Sequence, residues 1–285
     1  MAALESDSFT YVTITRKWGH DYDKSYFFDF DGTILSHTTK LVPDSAIYAL
    51  NQLQKQGILT IVATGRHITE IEEFDFCQNF KFDAYITLNG QYCFNETETI
   101  YSNPVSKDDV DAILDHIQED PYPCVFVEKD RQYMNFYTDS VIEEYKKLGT
   151  SLPPLENIER ARIQPIYQLS PYLSEKQEKE LFTRCHDIKI DRWTDYVIDV
   201  LPAIGGKDIG IQKVMEYYDL KHKETMGFGD ATNDIPLLKS VGIGVCMGNG
   251  KEEVKQIADY VTDSVDEGGL YNALKKISDS KISDI

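Results

Sequence analysis

No stretch of the chain approaches the roughly 20 consecutive apolar residues that a membrane-spanning helix needs, so no membrane partner is expected. The first 25 residues, MAALESDSFTYVTITRKWGHDYDKS, hold no apolar centre of the kind found in a secretory leader. They read as a polar N-terminal extension with a short strand at 9–14. The five cysteines, at 77, 93, 124, 185 and 246, are odd in number and form no C-x-x-C pair. That argues against a disulfide scaffold and for reduced thiols in a cytoplasmic setting. The six histidines show neither H-x-H nor H-E-x-x-H spacing, which disfavours zinc. Positive charge is scarce: 29 Lys and Arg stand against 48 Asp and Glu, a net charge of −19. Nucleic acid and anionic lipid are therefore poor partners. An anionic substrate would need cations gathered locally at its site. Gly227-Phe228-Gly229 starts like a dinucleotide fingerprint, but the third glycine is missing and Asp230 follows at once, which would repel a pyrophosphate.

What is present centres on Tyr26–Leu35, YFFDFDGTIL. Aromatic residues lead into two aspartates one residue apart, Asp29 and Asp31, then Gly32 and Thr33. An apolar run ending in carboxylates and a glycine reads as a buried strand that delivers charge to the edge of a sheet. An Asp-Gly hairpin turn is the plain alternative. Two carboxylates buried together need a counter-ion, and Mg²⁺ is the hard cation that prefers oxygen.

The flanking pattern is β-α-β-α-β. Residues 43–56 carry Ala46, Ala49, Leu50 and Leu53 at helical spacing, with Gly57 as the stop. Apolar runs at 58–63 and 84–88 are strands, with a helix at 67–74 between them. Apolar runs of this kind suit a parallel sheet covered on both faces. From 91 to 189 the strands, at 124–128, 133–137 and 164–169, carry more polar residues. Helices are expected at 107–118, 140–148 and 174–185, the last opened by a Ser174/Gln177 capping box. This middle reads as a separate α+β domain whose antiparallel sheet is solvated on one face. The first pattern returns with strands at 196–200, 224–228, 241–247 and 260–262, and helices at 208–218, 235–240, 252–259 and 269–277. The implied fold is a doubly wound, Rossmann-like α/β core, 26–90 and 190–285, interrupted by an inserted domain at 91–189. The crossings are expected near 90–92 and 190–193.

Four short stretches stand at strand ends: DFDGT at 29–33, TGR at 64–66, GGK at 205–207 and GDATND at 229–234. Ligands of open α/β sheets bind beyond the carboxyl ends of strands, so all four converge on one crevice. They supply carboxylates, a hydroxyl, glycine amides and a lysine, a set suited to a phosphoryl group with Mg²⁺. The bland readings are helix caps for Thr64, Asp230 and Asp234, and an exposed loop lysine for Lys207. Arg66 could contact substrate or a neighbouring acid. His37 and His67 read as surface histidines.

In the order and spacing of these four stretches, from about Tyr26 onward, the chain resembles a haloacid dehalogenase (HAD) superfamily phosphatase of the Cof type (subfamily IIB). The resemblance implies a Rossmann-like core with an α/β cap inserted between the second and third motifs. It implies that Asp29 is the nucleophile forming an aspartyl-phosphate, and that Asp31 is the general acid and then the base for water. The two need opposite protonation in the first step. Asp29, the Asp31 carbonyl and Asp230 are the implied Mg²⁺ ligands, with Asp234 orienting them from behind. Thr64, the Gly65 and Phe30 amides, Asn233 and Lys207 are the implied phosphate contacts. The expected enzyme is a Mg²⁺-dependent phosphatase, a monomer or small homo-oligomer, hydrolysing a small phosphorylated metabolite such as a sugar phosphate under a closing cap. A phosphotransferase or phosphomutase with the same intermediate, and a non-catalytic phosphometabolite-binding protein, are the rivals. A structural module with an acidic surface would leave the four motifs idle.

Overall fold

In a computed structural model of the chain, residues 25–148, 151–192 and 194–279 are described. The strand expected at 9–14 lies outside them, as do Gly149 and Trp193. The chain opens with β1 (Ser25–Phe28), α1 (Asp44–Lys55), β2 (Leu59–Ala63), the short helices α2 (Ile68–Glu72) and α3 (Asp75–Asn79), and β3 (Ala84–Thr87). Next come β4 (Tyr92–Phe94), β5 (Thr99–Ser102), α4 (Lys107–Glu119), β6 (Cys124–Val127) and β7 (Gln132–Met134). They are followed by α5 (Asp139–Leu148), β8 (Gln168–Pro171), α6 (Glu175–Phe182), β9 (Ile188–Arg192) and β10 (Ile198–Pro202). The last third holds α7 (Lys207–Tyr217), β11 (Thr225–Gly229), α8 (Ile235–Ser240), β12 (Ile243–Cys246), α9 (Glu252–Lys255), β13 (Tyr260–Val261) and α10 (Gly269–Asp279).

Two sheets organise these elements. The larger has eight strands in the order β13-β12-β11-β1-β2-β3-β4-β5, parallel from β13 to β3 and antiparallel beyond. Alternate residues of its strands go to opposite layers. Tyr26, Phe28 and Val62 pack with Ala49, Leu50, Leu53 and Leu270, whereas Phe27, Ile61 and Ala63 pack with Ile211, Val214 and Leu237. Helices therefore cover both faces, as continuous apolar strands require. The Phe28 and Phe228 rings stack at 5.2 Å across β1 and β11.

The smaller sheet is antiparallel, in the order β7-β6-β8-β10-β9. One face packs on α4 and α6 through Phe126, Leu169, Ile113 and Leu181. The Ser174/Gln177 capping box opens α6. The other face is less solvated than its sequence suggests. Val125, Val127, Met134 and Tyr167 cluster there with Leu88 and Tyr92 of the larger sheet's edge.

Strand membership moves the expected domain edges. Residues 92–102 extend the larger sheet instead of opening the insert, and β9 and β10 belong to the smaller sheet instead of the returning core. The crossings therefore fall after Ser102 and after Pro202, not near 90–92 and 190–193. The polar content of 92–102 reflects an antiparallel edge, which needs less apolar surface than a central parallel strand. Asn103 ties the two crossings: its Nδ2 donates to Gln91 Oε1 and to the Ile204 carbonyl, each at 2.7 Å.

Candidate active site

β11, β1 and β2 are adjacent and parallel, with Phe28 in register with Phe228 and Val62. The residues after each strand therefore emerge together. The Asp29 amide continues the ladder by donating to the Phe228 carbonyl at 2.9 Å. Lys207, the first residue of α7, arrives from the opposite layer and is 2% exposed. Its Nζ donates to Asp29 Oδ1 and to Asp234 Oδ1 at 2.6 Å each. Asp234 Oδ2 accepts the amides of Asp230 and Ala231 at 3.0 Å, so both its oxygens are taken. Asp230 Oδ2 accepts from Asn249 Nδ2 at 3.3 Å, while its Oδ1 is buried without a partner among the described residues.

Asp29, Asp230 and Asp234 each bring one carboxylate oxygen within 4.8 Å of the others. With all three carboxylates ionised, one ammonium would leave two negative charges without a counter-ion among the described residues. Burial and the charge of Asp234 push Asp29 well above the ordinary carboxylate range, with Lys207 opposing. The same two causes push Asp230 up to about 7. Burial works against the charge on Lys207, but Asp29 and Asp234 outweigh it and raise its pKa. An orphaned buried oxygen and an uncompensated charge of two, offered by hard oxygen donors, fit a divalent cation such as Mg²⁺. Gly32 makes room here: a Cβ on it would stand 2.3 Å from Asp230 Oδ2, and its φ is +77°.

The sequence profile of the haloacid dehalogenase-like hydrolases matches residues 26–274. The chain belongs to this family. It is 32% identical over 255 residues to YkrA of Bacillus subtilis (strain 168), whose phosphatase name is itself provisional, covering 89% of this chain and 97% of that protein. The kanosamine-6-phosphate phosphatase of the same strain is 26% identical, covering 88% and 91%. Among solved structures, the HAD subclass IIB sugar phosphatase BT4131 superposes with a TM-score of 0.71 at 34% identity, covering 89% and 98%. This HAD-like hydrolase is a phosphatase.

Around the acids of the HAD phosphatase stand the other residues singled out from sequence. Arg66 takes the neighbouring acid: Nε and Nη2 reach the two oxygens of Asp31 at 2.6 and 2.8 Å. Its guanidinium lies 5.8 Å from the centre of the Phe30 ring and 5.3 Å from that of Phe74. The Phe30 ring is buried in the core, so only its backbone can serve a ligand. Thr64 is buried at the end of β2, and its Oγ1 accepts the Arg66 amide at 3.1 Å. That leaves the hydroxyl proton for another acceptor. Gly65 is half-buried beside it, and Asn233 is exposed on the turn Thr232–Asp234. His37 is exposed as expected.

His67 is not a surface residue. It is 2% exposed, caps α2 by accepting the Thr69 amide, and reaches the Glu128 carbonyl of the smaller sheet's β6–β7 hairpin through Nε2 at 3.0 Å. Burial pushes its pKa down. Gln132 adds a second tie, donating to Glu70 Oε1 at 2.8 Å. The local sequence carries no sign of a partner 61 residues away. Asn249 is the other residue the sequence hides. It donates to the Gly32 carbonyl at 2.8 Å and to Asp230, and it accepts the Val265 amide at 2.8 Å. Its setting between Gly248 and Gly250 was the available signal, and it reads equally as a turn.

A cleft of about 670 Å³ lies outside this site, lined by Asp208, Gln212, Met215, Glu216, Asp219, Leu220 and Ser240. Its carboxylates suit no anionic substrate.

Proposed function

We propose that this phosphatase hydrolyses small phosphomonoesters, sugar phosphates or similar metabolites, through an aspartyl-phosphate on Asp29, with Mg²⁺ as its cofactor. The carrying observation is the buried Asp29–Lys207–Asp234 arrangement beside the orphaned Asp230 oxygen. Asp29, Asp230 and the Asp31 carbonyl would hold the ion, which would supply positive charge against the negative charge of nucleophile and phosphoryl group. In the first step an Asp29 oxygen bonds to phosphorus, the ester P–O bond breaks, and Asp31 gives its proton to the departing alkoxide. In the second, Asp31 takes a proton from water, the water oxygen bonds to phosphorus, and the bond to Asp29 breaks, releasing phosphate. Lys207, Thr64, the Gly65 and Phe30 amides and Asn233 are assigned to the phosphoryl oxygens. Asp234 holds Lys207 and the Asp230–Ala231 backbone in place. Arg66 grips Asp31 across both oxygens, so proton transfer requires that pair to open.

The sugar-phosphate reading draws on the two named phosphatases, one of kanosamine 6-phosphate and one of sugars. The inserted sheet is assigned the cap role: it closes over the crevice, excludes water and selects the leaving group. Five free, buried cysteines support a reducing, cytoplasmic setting. The test is phosphate release from p-nitrophenyl phosphate with Mg²⁺, by wild type and Asp29→Asn. Wild type is expected to turn over and the variant to lose at least about a thousandfold, and equal rates would end the mechanism. A panel of phosphometabolites ranked by kcat/KM then identifies the substrate. Phosphoryl transfer to a second alcohol would use the same intermediate and the same Asp31, so the Arg66 pair bears equally on both. Product analysis with and without a second alcohol separates the two.

A further inference from the structure

After β3 the backbone makes three left-handed residues in a row: Leu88 (φ 53°), Asn89 (φ 53°) and Gly90 (φ 90°). Side-chain residues pay a steric penalty there, least for asparagine. The two outer residues have structural reasons. Leu88 buries its side chain with Val125, Val127 and Tyr167 of the inserted sheet. Gly90 lies against the turn before α7, where a Cβ would meet the Gly206 carbonyl at 2.1 Å and Lys207 Cα at 3.1 Å. Asn89 stands between them. Its amide donates to the Thr64 carbonyl at 3.0 Å. Its carboxamide lies over Gly65, with Oδ1 and Nδ2 at 3.1 and 3.2 Å from where a Cβ on that glycine would stand. The carboxamide is half-buried and makes no hydrogen bond to any described residue.

An unpaired two-proton donor thus sits in a strained backbone, over the Thr64–Gly65 loop and one residue before Gly90, which packs on the Gly206–Lys207 turn. Strain of this sort persists where surrounding structure enforces it, commonly at functional sites. We propose that Asn89 is a further substrate-contact residue, whose side-chain amide donates to the phosphoryl group being transferred. The assignment rests on the phosphoryl site proposed above. The chemistry favours an anion, because the Nδ2 protons strengthen a cup that otherwise relies on Lys207, a hydroxyl and backbone amides. The competing account is conformational: asparagine is there only because it tolerates a left-handed backbone.

Two variants separate these accounts. Asn89→Gly removes the carboxamide and suits the backbone better. Asn89→Asp keeps shape and left-handed tolerance but exchanges donors for negative charge. Thermal melting, kcat/KM for p-nitrophenyl phosphate and the inhibition constant of inorganic phosphate are measured for each. Asn89→Gly is expected to melt no lower than wild type, lose about tenfold or more in kcat/KM and bind phosphate several-fold more weakly, as loss of a hydrogen bond to a charged group implies. Asn89→Asp is expected to lose more. Phosphate inhibition within about twofold of wild type in Asn89→Gly overturns the proposal, whatever happens to KM. If Asn89→Gly does not fold, Asn89→Ala, which removes the same donors without adding charge, takes its place. Absence of phosphate release by wild type would instead strike the underlying functional reading, which the same assay detects separately.

Discussion

A methyl group on residue 32 would intrude on Asp230 at 2.3 Å, in a backbone conformation that already resists a side chain. Gly32→Ala is therefore expected to lower stability by about 1–3 kcal/mol and kcat by about a hundredfold, because Asp230 must move from beside Asp29. Urea unfolding and turnover of p-nitrophenyl phosphate check it. A variant with wild-type turnover would show that Asp230 does not need its observed place. Lys207 illustrates the same scale. Removing its ammonium would leave Asp29 and Asp234 buried without the cation both now contact, so its burial and its charge form one requirement. Asp29, Asp31, Asp230, Asp234 and Lys207 could be singled out from their neighbours in the chain, and the fold gathers Asp29, Asp230, Asp234 and Lys207 in one place. The pairing of Arg66 with Asp31 could not be read there, because side-chain partners 35 residues apart depend on strand order.

At the scale of elements, the join between the α2 N-terminus and the β6–β7 hairpin stands out. His67 and Glu70 receive Glu128 and Gln132 immediately after the Thr64–Arg66 loop, so the inserted sheet is seated on the motif that faces the site. His67→Ala loses a buried hydrogen bond and a helix cap and leaves the Glu128 carbonyl unpaired. A loss of about 1–3 kcal/mol is expected in urea unfolding. A change below about 0.5 kcal/mol would mean that the seat does not depend on this histidine. Most elements were legible from periodicity, since apolar spacing at 3.6 and runs of strand length survive in the folded state. The assignment of 92–102 and 188–202 to sheets was not, because a short strand carries no local mark of which sheet it will pair with.

For the whole molecule, a net charge of −19 surrounds a site that, with its three carboxylates ionised, is itself short of positive charge by two. Asp230 has its pKa raised from 3.8 to about 7, so the folded state holds that proton more tightly than the unfolded chain. Metal-free stability therefore falls as pH rises from about 4 to about 7 on account of this group. His67, lowered from 6.5, works the other way in the acid range, so wild type is best compared with Asp230→Asn. Without metal at about pH 8 the variant is expected to melt above wild type, with the gap closing towards pH 4. Mg²⁺ is expected to raise the melting temperature of wild type and not of the variant. Differential scanning calorimetry with and without Mg²⁺ measures both. Equal melting temperatures at every pH, with no response to the ion, would contradict the charge deficit.

By itself the sequence determined the kind of fold and which charged and polar groups the strand ends carry. Local patterns such as YFFDFDGT encode a buried strand and what it must carry to its tip, independent of distant residues. Only the tertiary structure decided which acids share the lysine, which acid Arg66 holds, where the two sheets exchange the chain, and what Asn89 faces. Those depend on the order of strands in the sheet and on left-handed turns that pack against remote backbone, and no local spacing records either.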